Sequence, residues 1–195
     1  MRCDRLWREG IAAWRRTTVA ERLAVALLWG LTLTVLVAMW GTSIPRLEAL
    51  AEAPILDLRP RPTVGEIAAY FEKLGGLGRG FYFWVQLRLD GVFPLLYGVT
   101  LTHLLWLVLR FAGMGPRVAV VVAVSVVAPT MVFDLLENHG IAALLLSPPG
   151  RIDPAVAAAT AAYTQAKWLS AQLAGGFAGI ALAIALRKHC GTRTP

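Results

Sequence analysis

Residues 23–40, LAVALLWGLTLTVLVAMW, contain no charged side chain. At about 1.5 Å per residue this run, extended by Gly41 and Thr42, matches the roughly 30 Å of hydrocarbon in a bilayer. The pattern predicts a first transmembrane helix over 23–42. It should close at Ser43 and Ile44, because Pro45 cannot donate to a helix ladder. A cleaved signal peptide fits less well: the charged leader is long, and Met39 and Trp40 are poor neighbours for a small-residue cleavage site.

Three further apolar runs follow. Residues 81–111 are apolar except for Gln86, Arg88, Asp90, His103 and, at the very end, Arg110, and Phe81, Tyr82, Phe83 and Trp84 suit a membrane interface. Residues 117–146 read as a third span, with Pro129 as a site for a bend. The valine-rich start of that run also suits a buried strand, but a lone strand cannot satisfy its backbone in lipid. Residues 155–187 form the fourth span, after the break at Pro148, Pro149 and Gly150. The 57% hydrophobic composition exceeds the roughly 45–50% of soluble domains, which fits this reading.

Between spans one and two lies one sizeable extramembrane segment, residues 43–80. Pro54, Pro60 and Pro62 mark extended or turning backbone there. Thr63 and Glu66 form a capping box that opens a short amphipathic helix through Leu74, stopped by Gly75 and Gly76. Residues 1–22 carry Arg2, Arg5, Arg8, Arg15, Arg16 and Arg22, with Trp7, Ile11 and Trp14 at the spacing of one helical face. That predicts a basic amphipathic helix lying on the membrane surface.

The fold class expected is therefore all-α: an integral membrane bundle of four transmembrane helices, with an N-terminal interfacial helix and one outward-facing segment containing a short helix. Charge sets the orientation. The leader, the link carrying Arg110 and Arg117, and the tail 188–195 are basic, whereas the segment between spans one and two balances its bases with acids. By the positive-inside rule both termini are expected to be cytoplasmic in a multi-pass protein of the cell membrane, read here as an inner membrane. The net charge of +7 is thus explained by orientation in lipid and calls for no nucleic acid. Cys3 and Cys190 both fall on the reducing side, and no C-x-x-C pair supports thiol redox chemistry.

Ionisable groups inside the spans are expensive, roughly 2.5–3.5 kcal/mol each at a helix centre, so each needs a partner or a function. Asp134, Glu137 and Asn138 stand at i, i+3 and i+4 on one face of the third span, with Thr130 one turn deeper. Asp90, Pro94, Tyr97 and Gly98 share a face of the second span, where Pro94 frees a backbone carbonyl. Tyr163, Thr164 and Lys167 open the fourth, followed by Ala171, Gly175, Gly179 and Ala183, a small-residue ladder expected to pack against neighbouring helices. Counted at about 1.5 Å per residue from the cytoplasmic end, Asp90, Tyr97, Asp134, Glu137 and Lys167 all lie in or near the outer third of the bundle. Asp134 is the deepest of the acids, and Glu137, nearer the surface, should hydrate more readily. His103 points away from this cluster and reads as a hydrogen-bonded packing histidine.

Lys167 can pair with Asp134 or Glu137, leaving a surplus of carboxyls that cannot all ionise cheaply. The leading reading is a binding or accessory protein whose polar pocket takes a small or lipid-like ligand or a partner subunit. Asn138, Lys167, Tyr97, Asp90, Thr130 and Thr164 are then the binding residues, and the partners are the bilayer and either another membrane protein or a second copy. The competing reading is an intramembrane enzyme acting on a lipid, with Asp134 and Glu137 as the proton-handling pair. A proton or ion pathway ranks lower, because the inner half of the bundle is sparsely polar. Neither a metal nor a cofactor is expected: no ligand spacing, nucleophile elbow or phosphate loop occurs. Simple helix-locking by the cluster is the plain structural alternative.

Overall fold

The computed structural model describes residues 18–59, 62–148 and 150–190. The Trp7, Ile11 and Trp14 face of the basic leader and the last five residues of the tail lie outside the described residues. The chain is all-helical, with four helices long and apolar enough to span a membrane: α1 (Val19–Ala51), α2 (Val64–Phe111), α3 (Pro116–Leu146) and α4 (Pro154–Cys190). Large apolar side chains such as Leu27, Leu33, Val99, Val121, Leu173 and Ile180 stay exposed along all four. An apolar surface of that extent needs lipid around it, which marks this as a membrane protein.

Helix α1 begins at Val19 and not at Leu23, so Glu21 and Arg22 belong to the helix and not to the leader. The reason is a capping box: Glu21 N–H donates to Thr18 Oγ1 at 3.2 Å, and Thr18 N–H donates to Glu21 Oε2 at 2.7 Å. Nor does α1 stop at Ser43. A π-helical turn at Met39–Ser43 shifts the bonding register so that Ile44 N–H donates to Met39 O, and the helix resumes through Pro45 as Ile44–Ala51. The wider turn absorbs the donor that proline lacks.

Helix α2 opens at the Thr63 and Glu66 capping box. Gly75 then breaks it locally at φ 61° and ψ −175°, a conformation open to glycine alone, and the helix resumes at once through residues 76–80 instead of waiting for Phe81. A second π-helical turn, Tyr82–Gln86, lies farther along α2.

At one end of the bundle the last turns of α1, a 3₁₀ turn at Leu56–Leu58 and the first turns of α2 fold together over α3. Leu47, Ile55, Ile67, Tyr82, Ile141 and Leu144 are fully buried there. At roughly 1.5–3 kcal/mol for each large apolar side chain buried, this roof is a substantial core in its own right. At the other end Leu105, Leu109, Ala119, Ala123, Val127 and Ala181 form a second core, and Lys188 Nζ donates to Ala112 O at 3.3 Å.

The ladder Ala171, Gly175, Gly179 and Ala183 does not pack as expected. Gly175 and Gly179 are exposed, and a Cβ added at either meets nothing within 4 Å. Steps of four residues advance about 40° beyond a full turn each, so a ladder that starts inward at Lys167 has rotated away by Gly175. Helix α4 turns Ala181 and Ala185 inward instead. Its close approach to α3 is at Gly140, where a Cβ would overlap the Thr160 side chain.

Candidate functional site

Helices α2, α3 and α4 bring the expected polar residues together beneath the roof. Lys167 Nζ lies 3.3 Å from Asp134 Oδ1 and also pairs with Glu137 Oε2. Thr164 Oγ1 donates to Glu137 Oε1 at 2.6 Å, and Tyr97 OH donates to Asp134 Oδ2 at 2.9 Å. Each oxygen of these two carboxyls therefore has a partner. Lys167 bridges both acids instead of choosing one.

Glu137 is the more enclosed of the two, at 0% exposure against 5% for Asp134, which reverses the expected order of hydration. Depth along the helix axis did not decide the matter. Gly140, one turn on, lets Thr160 approach so closely that α4 shuts over Glu137.

The carbonyl that Pro94 frees is that of Asp90, four residues earlier, and Asn138 Nδ2 donates to it at 2.9 Å. The Asp90 side chain is a different case. It is buried, and no donor among the described residues reaches its Oδ2. Thr130 Oγ1 and Asn138 Oδ1 are likewise buried without a partner among the described residues. His103 lies apart from this cluster, stacked on Trp106 at 6.0 Å and edge-on to Trp29 at 6.1 Å. Its packing role is as expected, but its Nδ1 has no hydrogen-bond partner among the described residues, because aromatic rings surround it.

Sequence reasoning missed Asp57. The 3₁₀ turn carries it down from the roof to accept a hydrogen bond from Tyr82 OH, while its backbone carbonyl accepts from Trp168 Nε1 at 3.2 Å. The signal was the setting: one acid between Ile55, Leu56 and Leu58 in a loop, where apolar neighbours fold the turn inward. Tyr82, Gln86 and Trp168 were missed with it.

A cavity of about 240 Å³ lies where these groups meet, lined by Asp57, Asp90, Tyr97, Thr130, Asp134 and Lys167, with the rings of Trp40, Phe93 and Trp168. It is slightly smaller than the roughly 300–1,000 Å³ of drug-sized ligand sites. Among the described residues, no three His, Cys, Asp or Glu side chains are placed to hold a metal ion. No protein-family model matches the chain, nor does any curated protein or solved structure.

Proposed function

We propose that this membrane protein is a binding protein whose intramembrane polar cavity receives a small or lipid-like ligand. The observation that supports this is the cavity itself, walled by residues of all four helices and roofed by the 3₁₀ turn, with an unpartnered buried carboxyl oxygen on its wall. A bundle that needed these groups only to lock its helices would gain nothing from space between them, since a void forfeits contacts on every side. The proposed setting is the cell membrane, with both termini cytoplasmic and the roof outward, on the charge asymmetry of the connecting segments. Reporter fusions at Gly76 and at the C-terminus test that orientation.

The binding reading is tested by native mass spectrometry of the protein released from its own membrane. The wild type should carry a small-molecule adduct, and Ala171→Phe, which sets a ring into the cavity, should carry none. Identical spectra for the two would refute the reading.

A second reading draws on the Tyr97 to Asp134 hydrogen bond, which couples a phenol to a carboxylate that also faces Lys167. Such a set suits general acid/base chemistry on a lipid. Lipid analysis of a strain lacking the protein separates the two: an accumulated precursor favours the enzyme.

A further inference from the structure

The cavity's charges do not balance. Among the described residues on its lining Lys167 is the one base, and it is committed to Asp134 and Glu137. That leaves Asp57 and Asp90. Both line the cavity, with Tyr82 OH as a donor to Asp57 and none among the described residues for Asp90 Oδ2. Two carboxyls sharing a low-dielectric site cannot both ionise without a compensating positive charge.

The walls decide which kind of charge fits. A hard divalent cation asks for a shell of several oxygens, usually built on carboxylates, and among the described residues no three His, Cys, Asp or Glu side chains are placed to hold a metal ion. The cavity instead sets aromatic residues, Trp40, Phe93, Tyr97 and Trp168, beside the carboxyls. Carboxylate with aromatic surface is the combination that holds organic ammonium ions, through ion pairing on one side and ring quadrupoles on the other. Thr130 Oγ1, also buried and unpartnered on the lining, offers an acceptor for an ammonium N–H.

We infer that the cavity binds a small organic ammonium group, held by Asp90 and Asp57 and flanked by Trp168 and Phe93. The inference deepens the binding reading above and rests on it. The ammonium comes either from a free amine or from an amine-bearing lipid, which present the same chemistry.

The test uses the full chain in maltoside detergent micelles, which carry no ammonium group, with tryptophan fluorescence and thermal unfolding as readouts. The probes are n-butylammonium and dodecylammonium, with n-butanol and dodecanol as neutral counterparts. At least one ammonium should give a saturable quench and a raised unfolding temperature that its alcohol does not. Butylammonium binding points to a free amine, and response to dodecylammonium alone points to a lipid. Asp90→Asn should weaken binding by about tenfold or more. Asp57→Asn, on the roof turn and outside the spanning helices, should do the same and carries the test if Asp90→Asn does not fold. Equal responses to ammonium and alcohol, or unchanged affinity in a folded carboxamide variant, overturn the ammonium assignment and leave the binding cavity standing. No saturable response to any probe, together with the absence of a native adduct, overturns both.

Discussion

Ser43 Oγ donates to Gln86 Oε1 at 2.6 Å, and these two buried residues are the last positions of the π-helical turns in α1 and α2. One hydrogen bond thus ties together the two places where the helical register changes. Ser43→Ala removes the donor and leaves a buried amide oxygen unpaired, a loss of about 1–3 kcal/mol. Thermal unfolding in detergent should show it, and Ser43→Ala with Gln86→Leu should regain most of the loss. An unchanged midpoint in Ser43→Ala would show that the link does not stabilise the bundle.

The Lys167 bridge gives a sharper expectation. Lys167→Met strands two carboxyls at once and should cost about 3–5 kcal/mol, as breaking a buried ion pair does. Asp134→Asn leaves Glu137 on the lysine, and Glu137→Gln leaves Asp134, so each alone should cost less than Lys167→Met. Double-mutant cycles on the three residues measure both couplings. A negligible coupling of Lys167 to both acids would remove the bridge from the account of stability.

The spans and the cluster on α2, α3 and α4 were legible because helical spacing alone places Asp134, Glu137 and Asn138 on one face, and because charge in lipid is rare enough to stand out. What spacing cannot carry is the behaviour of loops and of irregular turns. Pro45 reads as a stop, and the π-helical turn that accommodates it has no sequence signature of its own. Asp57 reads as one more loop acid until the roof folds it inward. The order of burial of Asp134 and Glu137 depends on the approach of Thr160 to Gly140, a contact between separate helices that lies beyond any single-helix pattern.

That contact is itself testable. A Cβ at Gly140 would overlap Thr160, whose hydroxyl already donates to Val156 O at 2.8 Å and so cannot swing aside freely. Gly140→Ala should force α3 and α4 apart and destabilise the protein by about 1–3 kcal/mol, the usual cost of overpacking. Adding Thr160→Ala should recover part of that stability. Unfolding midpoints of the three variants give the answer, and a Gly140→Ala protein as stable as wild type would show that the helices do not meet there.

Glu52, just beyond α1, holds φ 51° and ψ 35°, a left-handed conformation unfavourable to a side chain. Its carboxylate accepts from Lys73 Nζ at 2.9 Å, and that hydrogen bond and charge hold its pKa below the ordinary value. The pair therefore contributes above the usual carboxylate range and is lost as pH falls through the lowered value. Both side chains are exposed, so the backbone term should dominate. Glu52→Ala loses the pair and keeps the strain, whereas Glu52→Gly loses the pair and relieves it. The expected order of unfolding midpoints at neutral pH is glycine above alanine, and the reverse order would show that the strain is not felt.

Among the described residues the roof turn is tied to the bundle by Tyr82 OH on the Asp57 carboxylate, Trp168 Nε1 on the Asp57 carbonyl at 3.2 Å, the Arg59 guanidinium over the Tyr70 ring at 4.8 Å, and the buried apolar contacts of Ile55 and Leu56. Two are hydrogen bonds and converge on one residue. Trp168→Phe removes the second while keeping an aromatic ring against the cavity, and Tyr82→Phe removes the first while leaving the buried ring in place. Either change should loosen the turn locally and leave the bundle intact, because the apolar contacts of the roof remain. Local opening of this kind is read by amide hydrogen exchange. Exchange at residues 55–59 should rise several-fold in each variant and further in the double variant, with α3 amides around Thr130 and Asp134 unaffected. If the turn also covers the ligand, a bound ammonium held by Asp57 should slow the same amides in the wild type and do so less in Trp168→Phe. Exchange at 55–59 that is equal in all variants would mean that the apolar contacts of Ile55 and Leu56, with Arg59 on the Tyr70 ring, hold the roof, and that Asp57 is placed over the cavity by that packing and not by its own hydrogen bonds.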